Sequence, residues 1–203
     1  MMSCTEIYGF NKDGNAFLYG EVPNAWRGAM SVWKRMEKRY LPRYVPRWMK
    51  ASWKYRDSMT DEEIIDAFDY LPSRLTSVDQ EAAGEIWALF ENDSVDIGDR
   101  VVLGTTLDNV LVRKNELDAV ARAFEVFEEE PETSLPEQAV ILRKMMEDED
   151  IIAVGWNQTS VNADSWESFS TDDETGDDIP YNCLTGTKHW WLFDELEKGA
   201  KNT

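Results

Sequence analysis

An α+β fold, with short antiparallel strands and several amphipathic helices packed on a mixed sheet, is predicted by three features of this sequence. Two strand-like runs flank a turn-rich tetrapeptide near the N-terminus. A series of segments then repeats apolar residues at three and four positions, most of them behind a capping residue. Last, the continuous apolar run Ile151 to Trp156 reads as a buried central strand. Strands and helices alternate irregularly along the chain, which is the α+β pattern.

Thr5 to Phe10 and Asn15 to Val22 flank Asn11-Lys12-Asp13-Gly14, a hairpin with a four-residue turn. Pro23 is expected to open a helix in which Trp26, Ala29, Met30, Trp33, Met36 and Tyr40 form one apolar face, stopped by Pro42. Pro46 suits the first turn of a second helix with Trp48, Met49 and Trp53 inward. Thr60 with Glu63, and Ser77 with Gln80, are capping boxes ahead of two more. Val101 to Leu103 and Val110 to Val112 read as short strands joined by 105–109. Asn115 is expected to cap a helix carrying Leu117, Val120, Ala121, Phe124 and Phe127, and Ser134 with Glu137 to cap the next, through Met145. Segment 166–178 reads as a long acidic loop, and His189 to Phe193 as a last strand. Trp156 and Trp33 sit at apolar-period positions and are expected inside.

A chain of 203 residues fits one domain, 1–203, and neither an internal repeat nor a linker divides it. Hydrophobic residues make up 42% and aromatics 12%, too many for an acidic disordered tail and enough for a core of its own. No apolar run is long enough to span a bilayer, and residues 1–10 lack the basic and apolar regions of a secretory signal. Cys4 and Cys183 are then expected as reduced thiols in a cytoplasmic protein, in the host cytosol if a phage encodes it.

The net charge is −19, and it is unevenly placed. Segment 26–56 holds ten Lys/Arg against the single acid Glu37, a local +9, which leaves 11 basic and 39 acidic residues elsewhere, or −28. Within the basic aromatic-rich segment 23–56, Arg43, Arg47, Lys50 and Lys54 form a stripe. Its aromatics fall at core spacing, and the acidic remainder repels a polyanion over a Debye length of about 10 Å, so direct binding of nucleic acid is not expected. Docking on acidic surface, in the same chain or a second subunit, is expected instead.

Chemistry finds little purchase. His189 is the only histidine, so Cys183, Asn182 and His189 are the sole grouping from which cysteine catalysis could be built. Three scattered Cys and His residues are too few for a structural zinc site. Counting from Asp172, an EF-hand would need glycine at Asp177 and glutamate at Cys183, and the pattern fails. Neither a phosphate-binding loop nor a dinucleotide fingerprint is present. No cofactor is expected, and an enzyme would have to be of unrecognised type.

Function by binding is the remaining reading. Glu147, Asp148, Glu149 and Asp150 end a helix, where the dipole disfavours negative charge. Asp172, Asp173, Glu174, Asp177 and Asp178 form the second dense run. These nine are the expected contact residues for a basic protein partner, such as a nucleic-acid-binding protein or nuclease, with the carboxylates standing in for phosphates. In composition the chain is similar to small acidic phage or mobile-element proteins that disarm host nucleases, anti-CRISPR proteins among them. That is a likeness of class, with no motif matched and no residue carried over. An immunity protein neutralising a basic toxin is the alternative that acidity predicts equally well.

Overall fold

Alternation along three adjacent strands decides the architecture. Strand β1 (Cys4–Phe10), β3 (Val110–Arg113) and β4 (Ala153–Gln158) each send apolar side chains to both faces of one sheet. Ile7, Val112, Val154 and Trp156 enter the larger core, while Phe10, Leu111 and Ala153 enter a smaller one on the opposite face. The computed structural model describes residues 4–23, 29, 31–40, 80–127, 134–159, 166, 169–172 and 174–201. The stripe Arg43, Arg47, Lys50 and Lys54, with the helices expected around it, lies outside the described residues.

The sheet runs β2-β1-β4-β3-β7, where β2 is Ala16–Pro23 and β7 is Trp190–Trp191. Its neighbours are antiparallel except β3 and β7, which are parallel, so the sheet is mixed. Strand β4 lies at its centre with all six residues buried, as a strand covered on both faces must be. The N-terminal hairpin forms as read: Asn11 accepts the turn amides of Asp13 and Asn15, and Gly14 takes φ 81°, a conformation glycine adopts without steric cost.

Six described helices pack against the sheet: α1 (Ser31–Tyr40), α2 (Gln80–Glu91), α3 (Ile97–Gly104), α4 (Leu117–Val126), α5 (Leu135–Glu147) and α6 (Leu192–Lys201). Together they bury Val32, Met36, Ile86, Leu103, Phe124, Leu142 and Leu196 in the larger core. This is an α+β fold. Among the described residues no helix is long and apolar enough to cross a membrane.

Six local expectations change. Pro23 ends β2 instead of opening a helix, and α1 begins at Ser31. Val101 to Leu103 is helical: Asp96 accepts the amides of Gly98 and Asp99 and so caps α3, and its short apolar run is ambiguous by periodicity alone. Asn115 sits inside a 3₁₀ turn, Lys114–Glu116; Glu116 closes that turn, its carboxylate accepting the Arg113 amide at 2.8 Å. Segment 166–178 is not one loop, because β5 (Phe169–Thr171) and β6 (Asp178–Pro180) pair as a small antiparallel hairpin. The last strand is only Trp190–Trp191, since Leu192 already starts α6 with its side chain in the core. Trp33 proves half-buried, its indole N–H donating to Thr106 Oγ1 at 2.8 Å, whereas Trp156 is buried.

Candidate functional site

The first acid run ends α5 and turns the chain into β4. Glu147, Glu149 and Asp150 are exposed, and Asp148 is half-buried. Carboxylates at a helix C-terminus need compensation, and the fold supplies it from another element. Lys114, in the 3₁₀ turn before α4, donates from Nζ to the Asp148 carbonyl at 2.6 Å, and Lys144 lies in the last turn of α5. Both ammonium groups serve the helix end. None of the four carboxylates is in an ion pair among the described residues.

The second run occupies the β5–β6 turn. Asp172 Oδ1 accepts the amides of Glu174 and Thr175 at 2.9 and 2.8 Å, and Gly176 completes the turn at φ 74°. Those backbone donors, Thr175 first, hold the Asp172 carboxyl below its ordinary value. Asp172 is thus partly structural, and Glu174, Asp177 and Asp178 are the exposed carboxylates around it. Asp173 lies outside the described residues. The two runs belong to different parts of the fold and share no hydrogen bond among the described residues.

A testable consequence follows for the turn. Because the folded carboxyl titrates below its unfolded value of about 3.9, its contribution is complete above that value and is lost as pH falls through the lower folded value. Amide exchange at Glu174 and Thr175, corrected for the intrinsic pH effect, should therefore lose protection only in strong acid. Asp172→Ala should lose it at neutral pH, and Asp172→Asn, which keeps the acceptor, should not.

Seven of the remaining described acids are in ion pairs. Arg113 grips Asp194 with two nitrogens at 2.8 and 2.7 Å, reaches Glu116, and lies 4.4 Å over the Trp191 ring. Its hydrogen bonds hold the Asp194 carboxyl low. Arg143 bridges Asp118 on α4 to Glu125, Arg100 pairs with Asp93, and Arg39 with Asp99. Most described arginines therefore sit on other carboxylates, and among the described residues neither acid run takes part in an ion pair.

Beside the first run lies a groove of about 700 Å³ with an apolar lining of Met146, Ile152, Leu184 and Trp191, edged by Arg113 and Lys114. Ile152 is 41% exposed there, an apolar side chain at the foot of the acidic turn. Sequence reading missed this groove because its walls come from the end of β3 and the 3₁₀ turn, α5, the residue before β4, β7 and the loop before it. The only available signal was the pair Ile151-Ile152 following four acids.

Cys183 and His189 both sit at the smaller core. His189 stacks on Trp166 with ring centroids 4.8 Å apart, and its Nδ1 is 3.2 Å from the Tyr181 hydroxyl. Cys183 is buried in the smaller core, and burial pushes its thiol up, away from the thiolate that nucleophilic chemistry uses. Comparison of the chain with protein-family models, with characterised proteins and with solved structures finds no match.

Proposed function

We propose that this protein is an acidic inhibitor or adaptor that occupies the basic surface of a nucleic-acid-binding protein or nuclease, of the anti-defence type made by phages and mobile elements. The observation that carries this reading is the distribution of ion pairs. Most described arginines pair with other acids, and Glu147, Glu149, Asp150, Glu174, Asp177 and Asp178 are exposed and in no ion pair among the described residues. Unpaired, fixed carboxylates lose little on meeting a basic partner and steer its approach through complementary charge.

The test is competition. Basic nucleases preloaded with labelled DNA are titrated with the protein, and strand release is followed at rising salt. Release is expected at low salt, weakening as ionic strength rises. Replacing Asp148, Glu149, Asp172, Asp173 and Asp177 with Asn or Gln should leave the fold intact and slow association about tenfold or more. Simultaneous binding of nuclease and DNA without mutual weakening would overturn mimicry.

One observation favours the immunity-protein reading as a second possibility. The apolar groove of Met146, Ile152, Leu184 and Trp191 has no counterpart on a phosphate backbone, and it suits a shaped protein surface with a buried anchor. Under that reading Ile152→Asp abolishes binding, while the partner's nucleic-acid site stays open.

A further inference from the structure

At the opposite end of the sheet from the acidic turn, the face away from the helices carries a second polar group that no mimicry requires. Glu6 on β1 stands directly opposite Glu21 on β2, and Cys4 lies two residues along on the same face. The Cys4 Sγ and a carboxylate oxygen from each glutamate lie within 4.8 Å of one another, with Sγ 4.0 Å from Glu21 Oε2. Like charges directly opposite across two strands are destabilising. No Lys or Arg pairs with either glutamate among the described residues.

The surroundings hold this group in place. Glu6 Oε2 accepts from Asn157 Nδ2 at 2.8 Å and from the Tyr8 hydroxyl at 3.1 Å, which fixes one carboxylate oxygen and leaves the other for a ligand. Asn157 is only 6% exposed, and its Oδ1 is buried without a hydrogen-bond partner. A buried acceptor with no donor is costly and calls for an explanation. The orphan oxygen belongs to the same amide that touches the Glu6 carboxylate.

We propose that Cys4, Glu6 and Glu21 bind a divalent transition-metal cation of the zinc type, one thiolate and two carboxylates on a sheet face. Zinc–ligand bonds of about 2.0–2.3 Å place tetrahedral ligands roughly 3.3–3.8 Å apart, so the donors need close by only about 1 Å. A thiolate beside carboxylates selects zinc over magnesium or calcium, which prefer oxygen alone. Three protein ligands leave the fourth position to water, and a cation-bound water is the donor that Asn157 Oδ1 lacks. On binding, the Cys4 thiol releases its proton to solvent and the glutamates bind as carboxylates. Asn157 and Tyr8 act as positioning residues that orient Glu6. The site is independent of the inhibitor reading and would serve any function of the chain.

The experiment uses the whole chain, stripped with chelator, kept reduced and titrated with Co²⁺ as the spectroscopic stand-in for Zn²⁺. The expected result is one equivalent bound with a thiolate-to-cobalt charge-transfer band that Zn²⁺ bleaches. Cys4→Ser should abolish the band. Glu21→Gln, at an exposed position that the fold tolerates, should weaken Zn²⁺ by more than about tenfold, the scale at which even outer-shell changes are felt. Either a missing thiolate band in the unaltered chain or unchanged Zn²⁺ affinity in Glu21→Gln overturns the site. Thermal melts of the metal-free variants show that each is folded before it is read.

Discussion

Trp156→Ala is expected to lower the free energy of unfolding by about 3–5 kcal/mol, the range for deleting a large aromatic from a core. The indole is 4% exposed on the central strand, opposite Ile7 on β1, and its ring meets Phe124 of α4 edge-on at 6.3 Å. It thus joins the sheet to the helical layer. Its N–H donates to Gln138 Oε1 at 3.1 Å, and Gln138 in turn donates to Ser134 Oγ, the residue at the start of α5. Truncation leaves a cavity and also a buried amide oxygen without its donor, so the cost should fall at the upper end of the range. Urea unfolding should show the midpoint falling with the slope unchanged. Trp156→Phe, which keeps the ring and removes the donor, should lose only the hydrogen-bond part. A midpoint unmoved by Trp156→Ala would mean that β4 is not central.

Strand β4 was legible because both of its faces are covered, so Ala153 to Trp156 carries no polar side chain, although the strand begins two residues after Ile151 and runs on through the buried polar Asn157 and Gln158. The N-terminal hairpin was legible because Asn11 to Gly14 carries turn chemistry between two alternating runs. Val101 to Leu103 misled for a physical reason: three β-branched and aliphatic residues favour a strand locally, but Asp96 caps a helix and tertiary packing holds it. The β5–β6 hairpin was hidden because its strands are three residues long and β6 is exposed, which leaves no alternation to read.

The acid runs themselves were plain in the sequence, and their support was not. Lys114 is 34 residues from the Asp148 carbonyl that it serves. The Cys4–Glu6–Glu21 cluster was hidden by a register shift. From Phe10↔Ala16 to Tyr8↔Leu18 the pairing is regular, and continuing it would set Glu6 opposite Gly20. A bulge between Ile7 and Tyr8 moves the register by one, bringing Glu21 opposite Glu6. One added residue in a ladder is invisible to pattern reading, and it decides which side chains share a face.

The smaller core yields the second large effect. Gly155→Ala is expected to destabilise the fold by about 1–3 kcal/mol, the cost of overpacking a filled interior. Gly155 lies on β4 between Val154 and Trp156, and a Cβ there would run into the six-membered ring of Trp166. Trp166 has little room to yield, because Phe10 meets it edge-on at 5.0 Å and His189 stacks against it at 4.8 Å. The indole stands three residues before β5, so its displacement should also raise amide exchange in β5 and β6. A double-mutant cycle isolates the contact. In a Trp166→Ala background the methyl group meets empty space, and Gly155→Ala should then cost less by about 0.5–3 kcal/mol, the size of coupling seen between touching residues. Equal costs in both backgrounds would remove Trp166 as the group for which position 155 is kept small.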